Sequence, residues 1–310
     1  MNKSVDYLYQ IEQILKKTKW TQNQLAQELG VTFATVNRWI NGHTQPHTSQ
    51  RRQIERLFKN LVGILPLDSV EIEIAIRKVT AMKKRFKNIR QLLAQKSIAD
   101  AFLLELTYHS DAIEGSTLTK KETEAIIFDK ATIRDKSLIE HLETVHHAAI
   151  LKQIFEGAIR PPINENLIKG LHHRLMHGIR EDAGEYARHQ RAIRGVDLVL
   201  PGPKDIPEEM TEFCAKINAM RGHPIESIAR RHADFEAIHP FGDGNGRVGR
   251  LIMIIQLIDE GFAPCLITLN DKAKYYEDLE YAQKRSDSHL IMFLAESILK
   301  GYTIISKSKG

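Results

Sequence analysis

His239, Asp243, Arg247 and Arg250 stand within twelve residues: His239-Pro240-Phe241-Gly242-Asp243-Gly244-Asn245-Gly246-Arg247-Val248-Gly249-Arg250. The stretch holds a base, a carboxylate, a run of glycines and two guanidinium groups. His239 can accept a proton near neutral pH, as an attacking hydroxyl requires. Gly242, Gly244 and Gly246 allow backbone angles closed to other residues, so that successive N–H groups can converge on an anion. Arg247 and Arg250 lie three apart, hence on one face of a helical turn, and can grip a phosphate chain. Asp243 beside such an anion is expected to hold Mg²⁺, which prefers carboxylate and phosphate oxygens. This is equipment for holding a nucleoside triphosphate and moving part of it onto a hydroxyl. Gly244–Gly249 also fits the dinucleotide pattern G-x-G-x-x-G, but a helix precedes it where that fold needs a strand.

The elements around the stretch position it. Ser227–Ile238 reads as a helix, and Val248–Glu260 is almost wholly apolar, so it is expected to be a buried helix whose N-terminus favours negative charge. Upstream, Thr21 is expected to cap a helix over Gln22–Leu29, with Gln24 completing a capping box. Gly30 then turns the chain into Phe33–Ile40, which is the helix-turn-helix plan. Residues 68–95, rich in Lys, Arg, Ile and Leu, read as one connecting helix. From residue 97 onward helix follows helix, except that Arg191–Leu200 alternates between turn-formers and predicts a short hairpin. The fold class is therefore all-α in the main. Its expected division is a helix-turn-helix bundle at 1–62, a connecting helix at 63–96 and a helical domain at 97–310.

Charge and composition bound the function classes. Residues 1–60 carry a net +5, which is the whole chain's formal excess over 310 residues. An electropositive head on a neutral body points the head toward a polyanion. The 42% of hydrophobic residues is ordinary for a soluble protein. Cys214 and Cys265 suggest a reducing compartment rather than a disulfide framework. No apolar run approaches the length of a membrane span and Met1–Asp6 shows no export signal, so the expectation is a cytoplasmic protein without a membrane partner. The histidine groups His141, His146, His147 and His172, His173, His177 lack the H-E-x-x-H acid and are not read as a zinc site.

The pattern H-x-F-x-[D/E]-G-N-G-R-x-x-R, filled at every fixed position here, resembles the signature of the Fic family. That resemblance implies transfer of AMP from ATP to a Ser, Thr or Tyr hydroxyl of a target protein or of the chain itself. It implies His239 as general base, Asp243 holding Mg²⁺ on the α- and β-phosphates, and Gly244, Asn245 and Gly246 cradling the anion. Arg247 then binds the β-phosphate and Arg250 the γ-phosphate. Gly184-Glu185-Tyr186-Ala187-Arg188 is similar to a further family element with one residue shifted, and carries no assigned role. Arg191–Leu200 falls where the family has its hairpin flap, which aligns the target. Tyr276, Leu279 and Gln283 follow the family's pattern for the nucleoside pocket. Relatives also use UTP, GTP or CDP-choline, so the nucleotide is not fixed by the loop.

Ser110-Asp111-Ala112-Ile113-Glu114-Gly115 is similar to the family's inhibitory motif, and it ends a predicted helix over 101–114. Ser110 and Glu114 share a helix face. The expectation is that Glu114 takes the Arg250 guanidinium that the γ-phosphate needs; in some relatives the same glutamate helps to remove AMP. Thr21–Trp39 resembles the Cro/CI-type DNA-binding domains. Thr32, Phe33, Thr35, Asn37 and Arg38 would then face DNA, with Asn41 and Arg51 on its backbone, and operator binding would call for a homodimer. The competing expectation is a transcription regulator whose Fic-like body only senses nucleotide or mediates assembly.

Overall fold

The computed structural model describes residues 7–62, 67–192, 198–219, 222–284 and 286–308. The chain forms two compact units, Met1–Pro66 and Leu67–Gly310.

The first unit consists of α1 (Tyr7–Thr18), α2 (Gln22–Glu28), α3 (Phe33–Ile40) and α4 (Thr48–Leu61). Thr21 opens α2: its Oγ1 accepts from the Gln24 amide at 3.2 Å, and Gln24 Oε1 accepts from the Thr21 amide at 2.9 Å. Gly30 makes the turn at φ +64°, and Thr32 opens α3 by accepting from the Thr35 amide at 3.2 Å. Each such cap satisfies a donor that the helix leaves orphaned, and contributes about 1 kcal/mol. Ile11, Ile14, Leu25, Val36, Trp39 and Ile54 form the core beneath these turns.

The second unit begins with α5 (Ser69–Arg85) and α6 (Ile89–Leu93), then α7 (Lys96–Glu114) and α8 (Lys120–Glu124), which runs into a π-helical turn at Ala125–Asp129. There follow α9 (Leu138–Phe155), α10 (Glu165–Met176), α11 (Ile206–Ile217), α12 (Pro224–Ile238) and α13 (Asn245–Asp259). A 3₁₀ turn at Leu269–Asp271 leads into α14 (Lys272–Gln283) and α15 (Ser288–Ser308). The segment expected as one connecting helix is two, broken at Asn88, whose φ is +57°. Ala75, Ile76 and Val79 of α5 are buried in the second unit's core, where α5 packs on α15.

The apolar α13 is the hub. Its residues Val248, Leu251–Ile255, Leu257 and Ile258 are all buried, and α12, α10 and α7 pack against it. A helix apolar all round must be surrounded, and this burial holds the first turn of α13 fixed. α7 runs up to the same turn and stops at Gly115, φ +110°, a left-handed cap. Among the described residues there is no strand. The hairpin expected at Arg191–Leu200 includes residues 193–197, which lie outside the described residues.

Candidate active site

α12 ends on His239. Its N–H donates to Phe235 O at 3.0 Å, and its φ of +49° and ψ of +57° are left-handed, a region that costs a non-glycine residue about 1–2 kcal/mol. Something must hold it there. The buried Arg191 guanidinium donates from Nε to His239 O at 2.9 Å and from Nη2 to Pro201 O at 2.9 Å and Ile238 O at 3.3 Å. A cation at a helix C-terminus also complements the helix dipole. The His239 side chain is 20% exposed, with Nδ1 buried 3.9 Å from Glu236 Oε2, so Nε2 is the ring nitrogen able to face a reactant. Burial holds this imidazole below its ordinary value, while the same effect raises the Glu236 carboxyl to about 8.

The loop after His239 is tied at three points. The Asn245 side-chain amide closes it, donating to Phe241 O at 2.8 Å and accepting from Phe241 N at 2.9 Å. Phe241 is fully buried and stacks on His172, ring centroids 3.8 Å apart. His172 Nδ1 accepts from the Gly184 amide at 2.8 Å, so its proton sits on Nε2, which donates to Asp243 O at 3.1 Å. Burial lowers this imidazole to about 4, which keeps it neutral. The three glycines serve different ends. Only Gly244 takes a positive φ, +77°, as the N-cap of α13. Gly246 is helical and closely approached: a Cβ there would lie 2.4 Å from Glu114 Oε1, so a larger residue would push that carboxylate aside.

Arg247 and Arg250 occupy the first turn and a half of α13, 2% and 4% exposed. No side chain caps that helix, so its first N–H groups are left for another acceptor. Arg250 donates from Nε to Ser110 Oγ at 3.0 Å, and from Nη2 to Ser110 O at 3.1 Å and Glu114 Oε1 at 2.7 Å. Burial pushes the Glu114 carboxyl up, but the Arg250 charge and hydrogen bond more than offset this and leave it below the usual range. Arg247 donates from Nη1 to Glu143 Oε1 at 2.5 Å, and its Nη2 lies 3.9 Å from Asp243 Oδ1. Asp111, one residue past Ser110, is 3% exposed with neither carboxyl oxygen hydrogen-bonded; burial, opposed by Arg247, raises it to about 7.

On α14, Tyr276 and Gln283 are half-buried, Leu279 is a core residue, and the Gln283 amide nitrogen has no partner among the described residues. Burial, with the Glu114 charge beside it, raises the Tyr276 phenol to about 12, so this residue shares the electrostatic neighbourhood of the arginines. Asp243 is 57% exposed, accepting from the Gly244 amide at 2.6 Å. Among the described residues no three His, Cys, Asp or Glu side chains are grouped to hold a metal ion. The structure thus brings His239, Asp243, Asn245, Arg247, Arg250, Ser110 and Glu114 to one place. Nothing in the sequence gave Glu143, Arg191 or His172 these roles, since they lie 104, 48 and 71 residues from the groups they hold.

In the first unit, Thr32, Phe33 and Arg38 are exposed. Thr35 and Asn37 are half-buried: the Thr35 hydroxyl meets that of Thr32 at 2.9 Å, and Asn37 Nδ2 donates to Gln22 Oε1 at 3.2 Å. Arg51 is held internally, donating to Pro46 O and Gln45 Oε1.

Residues 162–257 match the Fic/DOC family and residues 11–59 match a helix-turn-helix family. The protein adenylyltransferase Fic of Nematostella vectensis is 31% identical over 265 residues, covering 78% of this chain and 61% of that one. The protein of the same description from Culex quinquefasciatus is 30% identical, covering 69% and 46%. The chain therefore spans about three fifths of the first relative and under half of the second. Among solved structures, a Fic domain containing signaling protein from Bacteroides thetaiotaomicron superposes with a TM-score of 0.65 at 25% identity, over 77% of this chain and 98% of that one. Fic-1 from C. elegans shares the fold at a TM-score of 0.66 and 21% identity, over 92% and 84%.

Proposed function

The chain carries a Fic domain with a helix-turn-helix domain ahead of it, and from that premise we propose that it is a self-restrained protein adenylyltransferase. His239 Nε2 takes the proton of a Ser, Thr or Tyr hydroxyl on a target protein or on the chain itself. The freed oxygen bonds to the α-phosphorus of ATP as the bond to the bridging oxygen breaks, and pyrophosphate leaves. The uncapped amides of α13, with Gly244, Asn245 and Gly246, receive the phosphates. Arg247 meets the β-phosphate and Arg250 the γ-phosphate, where they stabilise charge that grows as the bond breaks. Tyr276, Leu279 and Gln283 line the nucleoside. Asp243 suits Mg²⁺, since that ion is usually held by one or two carboxylates together with substrate phosphates. When bound, the ion would neutralise phosphate charge.

The observation that carries this reading is the convergence, on the α12–α13 hairpin, of an imidazole with one buried nitrogen and two nearly enclosed guanidinium groups. Glu114 supplies the restraint: its carboxylate holds the Nη2 of Arg250 that the γ-phosphate needs, over the N-terminal turn of α13. In some relatives the same glutamate helps to remove AMP, and a reverse activity through Glu114 belongs to this reading. Incubation with α-labelled ATP tests the activity, and mass spectrometry after exposure to a nucleotide mixture tests the choice of ATP.

The pH profile has a definite sign. A base whose pKa is lowered keeps its neutral, proton-accepting form to lower pH. The acid limb of kcat/KM is therefore expected below 6.5, His239's ordinary value, with about a tenfold fall per unit. A limb centred above that value would remove the buried imidazole from the base's role.

The exposed Thr32, Phe33 and Arg38 favour DNA as the partner of the first unit. Arg38→Ala is expected to weaken binding to a random-sequence duplex and to lower the slope of log K against log salt by about 1, read by fluorescence anisotropy. An unchanged slope would take Arg38 off the DNA backbone. Duplex binding by a chain that never labels protein would favour the regulator over the enzyme.

A further inference from the structure

Arg247 and Arg250 are alike in burial, yet their carboxylate partners stand on opposite sides of the question. Glu114 Oε1 lies where a Cβ on Gly246 would meet it at 2.4 Å, so it sits over the first turn of α13, in the place an anion would take. Glu143 comes from a different helix, α9, and is only 17% exposed. It engages one arm of the Arg247 fork, Nη1, at 2.5 Å. The other arm, Nη2, is turned to the loop, with Asp243 Oδ1 at 3.9 Å. A guanidinium is a rigid planar fork, so fixing one arm fixes the direction of the other.

We infer that Glu143 is a positioning residue that anchors Arg247 with Nη2 aimed at the β-phosphate of the nucleotide, and that it is no second brake. This rests on the nucleotidyl-transfer reading of the site. The need for an anchor is visible in Asp111. Its carboxyl is buried, both oxygens lack hydrogen bonds, and the Arg247 charge favours its ionisation. Without Glu143, Asp111 would be left as a competing carboxyl for the guanidinium.

The test uses the full chain carrying Glu114→Gly, titrated with ADP and with AMP by calorimetry. ADP has a β-phosphate and AMP has none. Glu143→Ala is expected to weaken ADP about tenfold or more while AMP changes by less than about twofold. Glu143→Gln, whose amide oxygen still accepts from Nη1, is expected to keep ADP within about threefold of the parent and to guard against a folding defect. Three results would each overturn the inference: unchanged ADP affinity in Glu143→Ala, equal losses for ADP and AMP in both variants, or faster labelling by Glu143→Ala with Glu114 intact. A parent that binds ADP and responds to Glu143→Ala as stated, yet never labels protein, would sink the transfer reading and leave the anchor standing. A parent that binds neither nucleotide would sink both.

Discussion

Glu114→Gly is expected to raise the rate at which label from α-labelled ATP enters protein by about thirtyfold or more. Arg250 Nη2 now donates to Glu114 Oε1 at 2.7 Å, with the Arg250 side chain 5% exposed. A γ-phosphate must displace that carboxylate or bind without its guanidinium. Breaking one buried charge-assisted pair is worth about 2 kcal/mol or more, and 1.4 kcal/mol is tenfold. The variant also carries a penalty of opposite sign. An enclosed guanidinium that loses its carboxylate typically destabilises the fold by about 3–5 kcal/mol. Here the lower end is expected, because Ser110 still accepts two hydrogen bonds from Arg250. The activated variant should therefore melt below the wild type, and ATP should restore part of the loss by supplying the missing anion. Equal labelling rates in the two proteins would remove Glu114 as a restraint, whatever the melting curves show.

His239→Ala, placed in the Glu114→Gly chain, is expected to lower labelling by a factor of about 10²–10⁴, the usual range for a general base. ADP affinity should stay near that of the parent, because the groups proposed to meet the phosphates are on α13 while His239 ends α12, before the loop. The separation of rate from binding is the diagnostic. If rate and affinity fell together, His239 would be holding the loop rather than taking a proton. That outcome is physically conceivable, since the residue ends α12 in a left-handed conformation and its carbonyl is bonded by Arg191. His239→Asn provides the control, because asparagine tolerates that conformation while its amide is no base. It should retain the parent's stability and lose the rate. Persistent labelling by both variants would place the base elsewhere.

Some of this was legible along the chain. The glycine and cap residues marked the start of α2, the turn into α3 and the C-terminal end of α7, because a cap is a local contract between a side chain and amides two or three residues away; the start of α7, at Lys96 rather than 101, was not marked. The apolar run after Gly246 announced a buried helix, since Val248, Leu251–Ile255, Leu257 and Ile258 fall on every face of it and leave little side for water. The site residues between His239 and Arg250 could be picked out because the hairpin that assembles them is continuous in sequence. Where the local signal fell short was residues 68–95, which read as one connecting helix: the chain breaks it at Asn88, and Ala75, Ile76 and Val79 of α5 join the second unit's core.

Residue types and short-range spacing thus determined which groups this protein gathers around the start of α13, and which helix their loop begins. What the tertiary structure alone decided is who holds those groups. Glu143 for Arg247, Arg191 for the His239 carbonyl and His172 for the loop come from segments 48 to 104 residues distant. A buried charge or carbonyl takes whichever partner tertiary packing delivers to it, with α7 and α10 packed on α13 and α9 packed on both of them, and no pattern in the neighbouring sequence encodes that choice.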